Sequence, residues 1–119
     1  MRVHKIVTFR TVATFTFTLN NIVLAENIED NLAIGKKLAF DTAKGNCLAC
    51  HQIDGGESPG NIGPPLVAMK SRFPDVNKLR AQIWDAAVVN PETIMPPVGR
   101  HRILTEQEID QVVEFIWSK

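Results

Sequence analysis

Apolar and polar positions recur along this chain with a period of about 3.6 in three places, and each reads as an amphipathic helix. The clearest lies near the C-terminus. There Ile109, Val112, Val113, Ile116 and Trp117 form one apolar stripe behind Thr105-Glu106-Gln107-Glu108, a capping box in which Thr105 and Glu108 satisfy each other's backbone N–H groups. A second helix is predicted from about Val76 to Val89, where Leu79, Ile83 and Ala86 or Ala87 recur before Asn90-Pro91 ends it. A third, from about Asn31 to Asp41, turns Leu32, Leu38 and Phe40 inward and Lys36 and Lys37 outward. Gly35 in its middle costs about 1 kcal/mol relative to alanine, and a glycine retained there often marks a close helix crossing. Beyond the N-terminal segment no strand pattern is found, nor any repeat, low-complexity tract or second domain. The predicted fold class is all-α, with about three main helices.

The N-terminal segment has a different pattern. Arg2, Lys5 and Arg10 precede an uncharged stretch from Thr11 to Ala25 that closes with the small-residue pattern Val23-Leu24-Ala25. This predicts a signal peptide over residues 1–25, cleaved after Ala25, and therefore an exported, periplasmic protein. Thr14, Thr16, Thr18, Asn20 and Asn21 interrupt the apolar run, which falls short of the roughly 18 continuous apolar residues of a membrane span. An uncleaved anchor, or a buried strand built on the Thr-Phe-Thr-Phe alternation, are the competing readings. The remaining domain, residues 26–119, carries 10 basic and 13 acidic residues, a formal charge of −3 that argues against nucleic acid as a partner. At 94 residues its polypeptide core alone would be marginal.

Cys47-Leu48-Ala49-Cys50-His51 supplies the chemistry. Residues i and i+3 share one face of a helical turn, so both thiols can add to the two vinyl groups on one edge of a porphyrin, and the adjoining imidazole of His51 can reach the iron. This predicts one covalently attached haem c, with Cys47 and Cys50 as thioethers and His51 as proximal ligand. A structural zinc site wants four thiolates or imidazoles, and outside the N-terminal segment the only other histidine is His101. A thioredoxin-like dithiol wants alternating strands and helices. The haem would supply the missing apolar interior and would use both cysteines, leaving neither a disulfide nor a free thiol.

The segment Gly55 to Leu66 is too rich in glycine and proline to be helix or strand, and it lacks the lysine of a phosphate loop. It suits another task. A proximal histidine needs an acceptor for its second ring nitrogen, and a carbonyl in the stiff Pro64-Pro65 segment fits that role. For the sixth iron position Met95 leads, because Pro96 and Pro97 would stiffen the backbone that presents it; Met69 and His101 are the other candidates, and an open site remains a further one. Arg72 and Trp84 are candidate donors to the haem propionates. Arg100 and Arg102 would form a cationic collar, a docking patch or simply solvated surface.

In order, Gly35-Lys36-Lys37-Leu38-Ala39-Phe40, Cys47 to His51, Gly63-Pro64-Pro65-Leu66, Met95-Pro96-Pro97 and the final helix resemble class I cytochromes c over the whole domain. The resemblance implies crossed N- and C-terminal helices around the haem, the Pro64 carbonyl accepting from His51, and Met95 as distal ligand. The link from Phe40 to Cys47 is longer than in that pattern. More narrowly, Lys44 to His51, Pro59 to Leu66, Arg72-Phe73-Pro74-Asp75, and Met95-Pro96-Pro97 followed by Gly99 to Thr105 are similar to the SoxX family, the small monohaem subunits of periplasmic SoxAX complexes of sulfur oxidation. That likeness implies a SoxA partner bearing the cysteine that conjugates thiosulfate to a carrier-protein cysteine (L-cysteine S-thiosulfotransferase). It also implies a soluble cytochrome c that takes the electrons onward. The present chain has no third cysteine, and would not be catalytic on its own. The competing functions are a free diffusible cytochrome c serving an oxidase, for which a basic docking ring would be expected, and an open-site haem enzyme or gas sensor.

Overall fold

A computed structural model describes the backbone of residues 16–119 and side chains from Asn27 onward. Four α-helices, α1 (Thr16–Phe40), α2 (Met69–Arg72), α3 (Val76–Trp84) and α4 (Glu106–Trp117), and two 3₁₀ turns, Cys47–Ala49 and Ala86–Val88, make up the regular structure, with no strand among the described residues. None of the helices among the described residues is long and apolar enough to cross a membrane. The expected leader, 1–25, lies outside the described residues up to residue 15, and from Thr16 to Ala25 it continues α1 as helical backbone. Thus α1 starts well before the predicted Asn31. No proline or glycine stands between Thr16 and Ile34 to stop a helix there.

The frame of the domain is the crossing of α1 over α4. Gly35 is buried at the crossing: a β-carbon there would sit 2.0 Å from the Gln111 carbonyl oxygen and 2.9 Å from Phe115 Cβ. Only a residue without a side chain lets the two backbones approach this closely. Ala39 is fully buried, whereas Leu32, Leu38 and Phe40 pack at the margin of the core. The small residues therefore face the crossing, and the bulky ones flank it. Phe40 meets Phe115 edge to face, with ring centroids 5.7 Å apart and planes at 83°. Asn31 accepts from the Gln111 side chain at 3.5 Å.

The capping box of α4 forms as the sequence predicts. Thr105 Oγ1 accepts from the Glu108 N–H at 3.2 Å, and Glu108 Oε2 accepts from the Thr105 N–H at 2.8 Å. These bonds, with Lys44 Nζ at 2.9 Å from Glu108, hold the Glu108 carboxyl below the usual carboxylate range; the Thr105 N–H is the larger cause. The predicted stripe is buried apart from Trp117, which is half-buried and donates from Nε1 to the Phe73 carbonyl at 2.9 Å. Phe115, outside the predicted stripe, is also buried, because α4 is covered on two sides: by α1 at Gln111 and Phe115, and by the loops and α3 around Val112 and Ile116. Arg80 of α3 ties the two helices together through Asp110 at 2.6 Å and through Glu106.

Helix α3 is shorter than predicted. It ends at Trp84 and not at Val89, because Asp85 swings into an extended conformation and its carboxylate accepts from the Ala87 N–H at 3.1 Å, starting the Ala86–Val88 turn. Ala86 is buried, but Val88 and Val89 are about four-fifths exposed. The apolar spacing beyond Trp84 was thus not a continuing helical face.

Candidate haem site

Cys47, Cys50 and His51 sit on one tight turn. The Cys47 carbonyl accepts from the N–H of Cys50 at 3.2 Å and of His51 at 2.9 Å, so one carbonyl closes both a 3₁₀ and an α-type turn and gathers the three side chains. Asn46 enters the turn through a left-handed conformation, φ 47°, behind Gly45, whose N–H reaches back to the Leu38 carbonyl at 3.1 Å. The end of α1 thereby places the start of the cysteine turn, even across the long link from Phe40. Burial pushes the Cys47 thiol up to about 11.

The glycine- and proline-rich loop is laced to this turn by three backbone bonds: Gly60 N–H to Leu48 carbonyl at 2.7 Å, Gly63 N–H to Cys50 carbonyl at 2.8 Å, and Leu66 N–H to Gln52 carbonyl at 2.9 Å. Two glycines make the approach possible. A β-carbon at Gly60 would lie 2.0 Å from the Ala49 oxygen, and one at Gly63 only 2.4 Å from the His51 ring. The lacing sets the Pro64 carbonyl 2.8 Å from His51 Nδ1; a carbonyl can only accept, so Nδ1 donates, and Nε2 is the ring nitrogen left for another partner.

His51, Cys47 and Cys50 line a cavity of about 590 Å³ together with Met69, Leu79, Ile83, Met95, Val98, Leu104, Val112 and Ile116. Its walls are contributed by α3, α4, the glycine- and proline-rich loop and the segment carrying Met95. A mostly apolar chamber about four times the ~150 Å³ of an engineered hydrocarbon cavity suits a large flat apolar group. Two thiols and an imidazole with a free Nε2 at one end are the donor set that would attach and ligate a haem. The residues present fit the group.

The other predicted site residues divide. Met95 lines the cavity, half-buried, its N–H held at 3.2 Å by Thr93 Oγ1. Met69 also lines it but is almost wholly buried, with its sulfur accepting from Arg72 Nη1 at 3.4 Å. His101 is exposed and does not line the cavity. Arg72 reaches the cavity wall, donating to the Pro65 carbonyl at 2.8 Å. Trp84 does not reach it: its ring packs flat under Gly99 with the Arg80 guanidinium 5.7 Å away, so it forms part of the scaffold beside the cavity and not of its wall. Arg100 pairs at 3.2 Å with the buried Asp85. Sequence reasoning passed over Asp85, whose one signal was an aspartate two residues before a backbone N–H it could cap. It also passed over Thr93, which holds the backbone of Met95 in the same way.

A helical frame closed by crossed terminal helices, with a cysteine pair and a carbonyl-anchored histidine opening on an apolar chamber, defines the class of covalent haem electron carriers. The Cytochrome c family model matches residues 32–119, most of the chain, and the chain belongs to the cytochrome c family. Comparison with curated proteins finds no match. Membership makes the fold that of a class I cytochrome c, the cofactor covalently bound haem c, and the role electron transfer.

Proposed function

We propose that this protein is the SoxX-type electron-transfer subunit of a periplasmic thiosulfate-oxidising complex. In this reading one haem is held by Cys47 and Cys50, with His51 as proximal and Met95 as distal ligand. The observation that carries it is a single cavity lined by both thiols, an oriented imidazole and a proline-backed thioether, in a chain with no third cysteine. When bound, haem c supplies one-electron exchange. The chain's own residues would do the rest: the Pro64 carbonyl would fix the His51 ring in rotation, Leu79, Ile83, Val112 and Ile116 would exclude water from the group, and Met95 would hold the iron against small molecules. Histidine and methionine together favour a raised potential and a carrier role over oxygen chemistry.

Because both cysteines are committed to the haem, no thiol remains to hold a sulfur intermediate, and the conjugation of thiosulfate to a carrier-protein cysteine falls to a SoxA-type partner subunit. The electrons pass through this chain to a soluble cytochrome c. The blocks around Cys47, Pro59 to Leu66, Arg72 to Asp75 and Met95 to Thr105 support this assignment, as does the absence of a large positive excess on the domain. Export with cleavage after Ala25 belongs to the same reading. Affinity purification of the tagged mature protein from thiosulfate-grown cells tests it: a second cytochrome subunit is expected to co-purify, and a deletion strain is expected to lose thiosulfate oxidation. A lone monomer with normal thiosulfate oxidation in the deletion strain overturns the complex and leaves a free diffusible carrier. Rapid carbon monoxide binding by the native ferrous protein would instead indicate an open iron site.

A further inference from the structure

The segment that presents Met95 leaves the body of the protein at Asp85 and returns at Gly99 and Arg100, and both of its ends meet at one side chain. Oδ1 of Asp85 accepts from the Ala87 N–H at 3.1 Å, fixing the outgoing strand of the loop; Oδ2 lies 3.2 Å from Arg100 Nε, fixing the returning one. Beside them the Gly99 N–H donates to the Trp84 carbonyl at 3.0 Å, and Gly99 lies so flat on the indole that a β-carbon would be 2.1 Å from Trp84 Cε3. The Asp85 side chain is 6% exposed and sits at the foot of a loop otherwise made mostly of apolar residues. A carboxylate so placed stays buried only with its hydrogen-bonding partners in position.

We propose that Asp85, with Arg100, is a positioning clasp that holds the Met95 loop closed over the cavity and so sets how readily the distal position yields to another ligand. Asp85 and Arg100 do not touch the haem in this scheme; they act through the loop. The closed loop is an Ω-type excursion whose ends are joined by the Gly99–Trp84 bond and locked by the ion pair. Displacing Met95 by an outside ligand requires the loop to lift, and lifting it from its base separates Arg100 from the buried carboxylate with which it is ion-paired. Trp84, which the sequence offered as a cofactor contact, acquires a different role as the floor against which the returning strand is pressed. The proposal rests on the reading of Met95 as distal ligand.

The test is imidazole binding to the ferric holoprotein, followed by loss of the methionine-to-iron charge-transfer band, in wild type, Asp85→Asn, Arg100→Ala, Arg100→Lys and Arg102→Ala, with the band also recorded in Met95→Ala and unfolding by circular dichroism recorded in parallel. Asp85→Asn keeps an oxygen for the Ala87 N–H but loses the ionic bond. It should raise imidazole affinity about two- to fivefold, the factor that loss of an ion pair with one exposed partner supports. Arg100→Ala leaves the Asp85 carboxylate buried without its cation and should raise affinity further, while Arg100→Lys restores part of the effect. Arg102, two residues beyond the clasp and without a carboxylate partner among the described ion pairs, should bind as wild type does. Unchanged imidazole affinity in Asp85→Asn and Arg100→Ala, whatever their melting temperatures, overturns the clasp and leaves the ligand assignment standing. A band missing from wild type, or retained in Met95→Ala, overturns the ligand assignment and the clasp with it.

Discussion

Replacing Gly35 by alanine sets two physical effects against each other. On helix propensity alone the change should stabilise the protein by about 1 kcal/mol. The crossing of α1 and α4 reverses the sign. An alanine β-carbon would stand 2.0 Å from the Gln111 carbonyl oxygen and 2.7 Å from its carbon, both backbone atoms with no rotamer by which to retreat. Relief to even 3.0 Å needs the helices to part by about 1 Å, and overpacking of this kind costs about 1–3 kcal/mol. The same separation loosens the edge-to-face contact of Phe40 with Phe115, a type of pair worth about 0.5–1.5 kcal/mol. Taken against the propensity gain, the net expectation is a loss of about 0.5–3.5 kcal/mol, centred near 2. For a domain of this size the central value is a fall in Tm of about 8–16 °C. Thermal unfolding of the ferric holoprotein by far-ultraviolet circular dichroism measures it, with Ile34→Ala on the exposed side of α1 as the comparison. A Gly35→Ala protein as stable as wild type, or more so, would refute the reasoning, because it would mean that α1 and α4 do not meet where their backbones place them.

Three further outcomes are expected. Thr105→Ala should cost about 1 kcal/mol in urea unfolding by removing the α4 cap, and a shift of the midpoint of less than a fifth of that would show the box to be ornamental. Glu108→Gln should be destabilising at neutral pH. The folded carboxyl is held below its ordinary value of 4.5, so its contribution is complete above that pH and fades as pH falls through the lowered folded value; the difference from wild type should shrink in that acidic range, and a difference that persists there contradicts the assignment. Gly63→Ala drives a β-carbon to 2.4 Å from the His51 ring and should tilt the imidazole off the Pro64 carbonyl. Less holoprotein with covalent haem, measured by the pyridine haemochrome, is the expected result, and wild-type yield with an unaltered Soret band speaks against it.

Much of this architecture was legible because it depends on neighbours in sequence. The capping box needs only residues three apart, and it forms with both of its bonds. The cysteine turn likewise spans one turn of chain, and the loop of glycines and prolines declared that it would be neither helix nor strand. Gly35 announced a close crossing because a glycine inside a helix is costly without one. What failed to show depends on partners far apart in the chain. Ala86 and Ala87 carried on the spacing of α3, but the Asp85 carboxylate competed for the backbone and won. Trp84 was read as a cofactor contact from its chemistry, when its surroundings are set by Gly99, fifteen residues on. Phe115 fell outside the apolar stripe because one stripe assumes one buried side, and α4 has two.

That two-sided burial of α4 has a practical result. Gln111 and Phe115 meet α1, while Val112 and Ile116 of the same helix form a wall of the cavity, so α4 is a partition shared between two rooms. Whatever is pressed against one side bears on the seating of the other, and the grip on α1 becomes a gauge of what the cavity holds. Limited proteolysis within α1 should therefore report maturation: a chain that has acquired its cofactor keeps the helix clasped and resists cutting, and one that has not leaves it free to lift and be cleared.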